Sequence, residues 1–457
     1  MLPATAASRL RTSVVLGAAS ATVIAALLLT QGKPTTRSPV PDSSADDGMT
    51  LIAELTTAKI LAGAHDENVA ITITAPKGQA AYRPPLSLAV VIDRSGSMSG
   101  EPMENAKRAA SKLIGQLDSN DAFTVIAYSS GDQVVMPMSR ASDANKSAAR
   151  AAIERIYDDG GTCISCGLVR GASELERSPI GDGVRRIVLI SDGQANEGIW
   201  DRDELAALAS NTAARGTSIS AVGVGLDFDE VTMQRIASVG RGNYYFVEDT
   251  QNLSAMFAKE LGGLAATVAS DVRLVVQSGD GVMIEEAYGY QLTRNGDSVV
   301  IPIADLRAGE TRKVVLRVHV AAAELGAAKV ITSVHMGWRR VSDGTQRSAK
   351  TAAIADVVDD VRAVEASVVA RAAQAVEEAL SARALEEAAM AYEAQGYDAA
   401  KQVLDRRMNA VNGNTNLTPT TRARIESSST RAMENFKSAP KGKAMKMSRE
   451  DAYNLSR

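Results

Sequence analysis

Asp93, Ser95 and Ser97 place three hard oxygen donors at alternate positions in the stretch Val91-Ile92-Asp93-Arg94-Ser95-Gly96-Ser97-Met98. A carboxylate and two hydroxyls, with no sulfur or imidazole, suit Mg²⁺, Mn²⁺ or Ca²⁺ rather than zinc. Taken alone, Asp-x-Ser-x-Ser is also the composition of ordinary turns and helix caps. Two further stretches change its weight. Gly160-Gly161-Thr162 opens a helix-like segment and offers a third hydroxyl, and Ile187-Val188-Leu189-Ile190-Ser191-Asp192-Gly193 is an apolar run ending in a second carboxylate. Two carboxylates roughly neutralise a divalent ion, and neutral hydroxyls leave it electrophilic enough to attract one more anionic oxygen.

These donors need strands behind them. Leu86-Ser87-Leu88-Ala89-Val90-Val91-Ile92 has the short, continuous apolar character of a strand covered on both faces, as in a parallel sheet flanked by helices. Asp93 then falls at its carboxyl end, where open α/β sheets bind ligands. Around it, helical patterns over 102–117, 144–156, 202–214 and 230–237 alternate with strand patterns over 122–128, 133–138, 218–224 and 244–247, followed by a closing helix from Leu253. This alternation predicts a doubly wound, mostly parallel α/β sheet.

In this order, the three donor stretches resemble the metal-ion-dependent adhesion site of a von Willebrand factor A (VWA) domain, over roughly Ser87 to Leu264. Matched residue by residue, Asp93, Ser95 and Ser97 correspond to the first element, Thr162 to the second and Asp192 to the third. The resemblance implies a Rossmann-like VWA domain with Mg²⁺, or Mn²⁺ or Ca²⁺, held by Ser95, Ser97 and Thr162, and contacted by Asp93 and Asp192 directly or through water. It also implies a protein partner that supplies an acidic side chain to the remaining coordination position, as in adhesion and assembly modules.

At 457 residues the chain is long enough for two or three domains, and its net charge of -4 argues against nucleic acid as a partner of the whole protein. Its three histidines, His65, His319 and His335, lie far in sequence from the donor stretches, which disfavours a His-based zinc site or general base there. Arg9 and Arg11 precede an uncharged segment, Ser13 to Thr30, of about the minimum membrane-spanning length. Leu28-Leu29-Thr30-Gln31-Gly32 is a poor small-x-small cleavage site, so an uncleaved signal anchor is favoured over a signal peptide. Basic residues ahead of it orient a single-pass protein with its bulk in the periplasm or exterior, and secreted if the segment is cleaved.

The strand-like alternation of Asn68 to Thr74 precedes the α/β domain, and candidates for its partners follow it at Asp271 to Gln277, Ser298 to Ile303 and Arg312 to Val320. A β-sandwich built from both flanks is therefore expected, with the α/β domain inserted between its strands. From Asp356 the stripe Val357, Val361, Val364, Val368, Ala372, Val376, Leu380 has helical spacing, broken at Gly396. The expected organisation is an N-terminal segment at 1–12, the anchor at 13–30, a linker at 31–47, first β strands at 48–86, the VWA domain at 87–264, the β-sandwich at 265–352, a helical hairpin at 353–411 and a mobile tail at 412–457.

The two cysteines, Cys163 and Cys166, directly follow Thr162 at what should be a helix amino terminus, a position that lowers a thiol pKa, and with the spacing of redox dithiols. In an oxidising compartment the expected outcome is a disulfide that stiffens the loop carrying Thr162; free thiols and a redox pair are the alternatives. The leading functional reading is a membrane-anchored, cation-dependent protein-binding module without enzymatic activity. Its competitors are a structural protein in which the metal only ties loops together, and a Mg²⁺-dependent hydrolase drawing on Glu197 or Asp159.

Overall fold

The computed structural model describes residues 43–44, 47–77, 83–181, 183–192, 194–224, 229–247, 262–263, 266–321 and 323–456. The segment expected to span a membrane, Ser13 to Thr30, and the helix expected from Leu253 lie outside the described residues. Among the described residues, no helix is long and apolar enough to cross a membrane.

The α/β core is a six-stranded sheet in the order Arg241–Val247, Thr217–Val224, Val184–Ser191, Leu86–Asp93, Ala122–Tyr128, Asp132–Arg140. Leu86–Asp93 is buried at every position and pairs in parallel with neighbours on both sides. Asp132–Arg140 is an antiparallel edge, joined to its neighbour by a tight turn. Alternate residues of the central strand point to opposite layers. Val90 and Ile92 pack with Met103, Ala106 and Leu113 of helix Glu101–Gly115, while Ala89 and Val91 pack with Leu168, Leu205 and Ile236 of three other helices. A strand between two helical layers has no solvent face, which is why its sequence is apolar without alternation.

The flanks fold together. Strand His65–Thr74 precedes the α/β core and Thr311–Val320 follows it, yet they pair antiparallel over their whole length, from Thr74 opposite Thr311 to His65 opposite Val320. Both belong to a five-stranded sheet. Val314, Leu316, Val318 and Val320 of that sheet share one apolar cluster with Leu274, Val276, Val334, Met336 and Trp338 of a seven-stranded sheet. The longest strands of the second sheet, Gly326–Arg340 and Gln346–Val358, form a hairpin that the sequence reading did not identify.

That hairpin overturns the start of the expected helical stripe. Val357 is a strand residue opposite Gly326 and Ile60, and Val361 and Val368 are exposed. Helical packing begins with Ala370–Gln395, whose Ala372, Ala375 and Val376 cover the outer face of the five-stranded sheet at Ala70 and Val315. Gly396 ends this helix at a positive φ of 85°, a conformation open to glycine, and Tyr397–Gly413 runs back.

The expected mobile tail is instead two helices, Pro419–Ser438 and Lys441–Leu455. The first is capped by Thr418, whose hydroxyl accepts from the Thr421 N–H at 3.2 Å, with Pro419 in the first turn. Ile425, Ala432, Phe436, Ala444, Ala452 and Leu455 close a cluster with Leu385 and Leu404. The large apolar residues are few and separated by buried alanines and serines, so polar composition hid a genuine helical stripe. Within the second of these helices, Lys446 is 3 % exposed and its ammonium donates to Glu230 of the α/β core at 3.1 Å.

Candidate metal centre

The carboxyl ends of strands Leu86–Asp93 and Val184–Ser191 lie side by side, Ile92 opposite Ile190, so Asp93 and Asp192 leave the sheet together. Asp93 is fully buried. Its Oδ1 accepts from the Ser95 N–H at 2.9 Å, and its Oδ2 accepts from the Ser191 hydroxyl at 2.7 Å and the Tyr128 hydroxyl at 3.3 Å. Burial pushes the Asp93 carboxyl above its usual range, while these hydrogen bonds pull it back. Tyr128 is held well above its ordinary value by burial and by the Asp93 charge, so it remains a neutral donor.

The other donors complete a continuous path. Ser95 Oγ and Ser97 Oγ are 3.1 Å apart, and the Ser97 hydroxyl donates to Asp192 Oδ1 at 3.0 Å. Ser97 is exposed, so the path opens to solvent there, whereas Ser95 and Asp192 are buried. Thr162 arrives on a separate loop. The Gly96 N–H donates to the Gly160 carbonyl at 3.1 Å, and the Asp159 N–H to the Arg94 carbonyl at 2.7 Å, fastening this loop against the first. The Thr162 N–H donates to Asn196 Oδ1 at 2.7 Å, and its carbonyl accepts from the Asn196 and Glu197 N–H groups at 3.1 and 3.3 Å. Thus Asp93, Ser95, Ser97 and Asp192 are joined directly by side-chain and backbone hydrogen bonds, and buried Thr162 is fixed by its backbone to Asn196 and Glu197 on a loop that Gly160 and Asp159 fasten to the first.

A divalent cation fits this donor set. A fully buried carboxylate whose hydrogen bonds come from neutral Ser95, Ser191 and Tyr128 is costly without a counter-charge, and the nearby donors are all hard oxygens. Residues 163 and 166 form a disulfide, with Cα atoms 5.3 Å apart. Cys163 is also the N-cap of helix Ile164–Glu176. The loop bearing Asn196 packs closely on it: at Gly198, with φ of 63°, an added Cβ would lie 2.4 Å from Cys163 Sγ. Glycine is required at this close approach.

Sequence reading missed Tyr128, Ser191 and Asn196. Ser191 adjoins Asp192 and was open to recognition as a strand-end donor. Tyr128 enters only through strand pairing, opposite Asp93, and Asn196 only through loop packing. Elsewhere, His319 Nδ1 lies 2.7 Å from Asp66 Oδ1, and both adjoin Glu285 on the outer face of the five-stranded sheet. The Arg317 guanidinium already contacts Glu285 at 3.0 Å and Asp66 at 3.9 Å, offsetting the negative charge that a cation would need.

The fold and donor geometry define a VWA-type α/β domain, and residues 87–259 match the family model described as von Willebrand factor type A domain. The chain is similar to the uncharacterized protein YfbK of Escherichia coli (strain K12), 29 % identical over 196 residues that cover 42 % of this chain and 34 % of that protein. It is 32 % identical over 167 residues to the uncharacterized protein sll0103 of Synechocystis, covering 36 % of this chain and 39 % of that one. The chain therefore spans well under half the length of these relatives. Among solved structures, a von Willebrand factor type A protein from Catenulispora acidiphila aligns with a TM-score of 0.67 at 20 % identity, covering 87 % of this chain and 91 % of that one. The ArnB paralog VWA2 from Sulfolobus acidocaldarius aligns at 0.63 and 13 % identity, covering 90 % and 99 %. At these identities the alignments show a shared fold, and their coverage extends it beyond the VWA domain to the flanking sheets and helices.

Proposed function

We propose that this protein is a divalent-cation-dependent protein-binding module, anchored in a membrane by residues 13–30 with its bulk on the periplasmic or outer side. In this reading Asp93, Ser95, Ser97, Thr162 and Asp192 hold Mg²⁺, or Mn²⁺ or Ca²⁺, which supplies a Lewis-acid position for a carboxylate of the partner protein. The single observation that carries it is the buried Asp93 carboxylate, whose hydrogen-bond partners among the described residues are all neutral, beside a Ser97–Asp192 contact that reaches solvent. Buried Asp93 and Asp192 set the charge, the hydroxyls orient it, and Tyr128 and Ser191 keep Asp93 in position. The role is recognition without a catalytic step, with the two flanking sheets serving as a β-sandwich platform.

The test is a pull-down from membrane and periplasmic extract in Mg²⁺ and in chelator, alongside Asp192→Ala. A partner retained only by the unaltered protein with metal supports cation-bridged recognition. Equal retention under all three conditions excludes it and moves attention to the flanking sheets or helices.

A further inference from the structure

We infer that a small oxyanion of the phosphate or sulfate class binds in a cavity between the α/β domain and the two-sheet domain, held by Arg241, Arg307 and Arg312. The cavity lies near the amino-terminal ends of the parallel strands, the opposite end of the sheet from the metal centre. Arg241 opens strand Arg241–Val247, and Arg186, which also lines the cavity, is the third residue of Val184–Ser191. Arg307 and Arg312 come from strands Leu306–Arg307 and Thr311–Val320 of the other domain.

Charge is the first observation. Four guanidinium groups line the cavity against two carboxylates, Asp305 and Glu310, an excess of two positive charges. Asp305 is committed to Arg186 at 3.1 Å and to the Ser218 hydroxyl at 3.0 Å, and Glu310 is ion-paired with Arg312. Arg241 pairs with Asp271, which Arg273 shares from the exposed side. The Arg307 backbone N–H donates to Glu310 at 3.0 Å, but no acidic side chain is paired with its guanidinium among the described residues.

Unmet hydrogen-bonding capacity is the second. Arg241 and Arg312 are 8 % and 6 % exposed, and the Nε–H of each is buried without a hydrogen-bond partner among the described residues. Buried guanidinium N–H groups without acceptors are costly, and Arg307 adds a charge with no carboxylate partner among the described residues; water would satisfy the donors but leave that charge. The cavity holds about 70 Å³. On the same measure one water needs roughly 10–15 Å³, so there is room for a polyatomic anion. Planar guanidinium forks suit oxyanions of this class.

The backbone is also committed to this arrangement. Arg241 and Asp271 both occupy the left-handed region, with φ of 57° and 54°, although neither is glycine. At Gly263 an added Cβ would lie 2.3 Å from Arg307 Cζ, so the guanidinium lies close against this glycine.

The experiment is calorimetric titration of the full chain with inorganic phosphate, then sulfate, at constant ionic strength set with sodium chloride. The expected result is saturable one-to-one binding of phosphate, displaced by sulfate, and weakened about tenfold or more in Arg307→Gln. Arg406→Gln removes the same charge from an exposed helix position that does not line the cavity and should bind phosphate like the parent. Binding should also persist in Asp192→Ala, because the site does not depend on the metal reading. Absence of saturable heat with both anions in the parent protein would overturn the inference, as would equal weakening in Arg307→Gln and Arg406→Gln, which marks diffuse charge attraction.

Discussion

The Ser97 hydroxyl donates to Asp192 Oδ1 at 3.0 Å, joining the loop after one central strand to the end of the next across 95 positions of sequence. This contact puts one neutral and one charged donor on the solvent side of buried Asp93. Asp192→Ala should leave the domain folded but lower Mg²⁺ affinity by at least the roughly tenfold to hundredfold cost of losing an outer-shell partner. Ser97→Ala and Thr162→Ala should cost less, because each removes a neutral group. Thermal unfolding with and without Mg²⁺ measures this; an undiminished metal-induced shift in Asp192→Ala would reject the assignment.

Trp200 and Tyr157 are 69 % and 67 % exposed on the loops that meet around Thr162, and the Arg94 guanidinium lies 5.5 Å from the Tyr157 ring centroid. Exposed aromatic residues and arginine are the usual anchors of protein interfaces. Tyr157→Ala and Trp200→Ala should weaken partner binding about tenfold or more while leaving Mg²⁺ affinity unchanged. Loss of metal affinity in either variant would instead assign these residues to the loop structure.

The Cys163–Cys166 disulfide closes a very short loop immediately after Thr162. On chain entropy alone such a loop is worth about 2 kcal/mol. Replacing both cysteines by alanine should therefore lower stability modestly and reduce Mg²⁺ affinity a few-fold by loosening the Thr162 backbone. Parallel metal titrations of oxidised, reduced and doubly substituted protein test this, and identical affinity in all three would remove the disulfide from the site.

Helix Lys441–Leu455 docks on the α/β core through Tyr453, whose hydroxyl donates to the Gly242 carbonyl at 3.0 Å and whose ring meets Tyr244 edge-on at 6.1 Å. Tyr453→Phe should cost about 1 kcal/mol, for the hydrogen bond. Tyr453→Ala should cost about 3 kcal/mol or more. Denaturant unfolding distinguishes the two; similar small losses would mean that this ring does not secure the helix.

His335 faces Lys350 on one neighbouring strand and Val275 on the other. Burial, and secondarily Lys350, hold its pKa below the ordinary 6.5. The unfolded chain therefore takes up the proton first as pH falls. The stability contribution is complete above about pH 6.5 and is lost as pH drops through the folded-state value. His335→Gln should flatten this part of the stability profile, measured as urea midpoints from pH 7.5 downward; an unchanged slope would assign it to other groups.

Local chemistry made the candidate metal donors legible. Asp93, Ser95 and Ser97 fall within five residues after a strand buried on both faces, so side-chain type, burial and position at the sheet end all follow from adjacent residues. The alternation of Val314, Leu316, Val318 and Val320 likewise revealed a strand with one core face. Tertiary structure alone placed Tyr128 opposite Asp93, fastened the Thr162 loop through Asn196, and folded residues 419–455 into docked helices. Those last helices read as a mobile tail because many of their buried positions are small or polar, and Lys446 is tolerable in the interior only because Glu230, more than two hundred residues earlier, meets it. The arginine-lined cavity follows the same logic: Arg186, Arg241, Arg307 and Arg312 are unremarkable surface candidates in sequence until two domains close over them. Periodicity reports which face of an element is apolar, whereas the neutralisation of a buried charge depends on a partner whose distance along the chain carries no local signal.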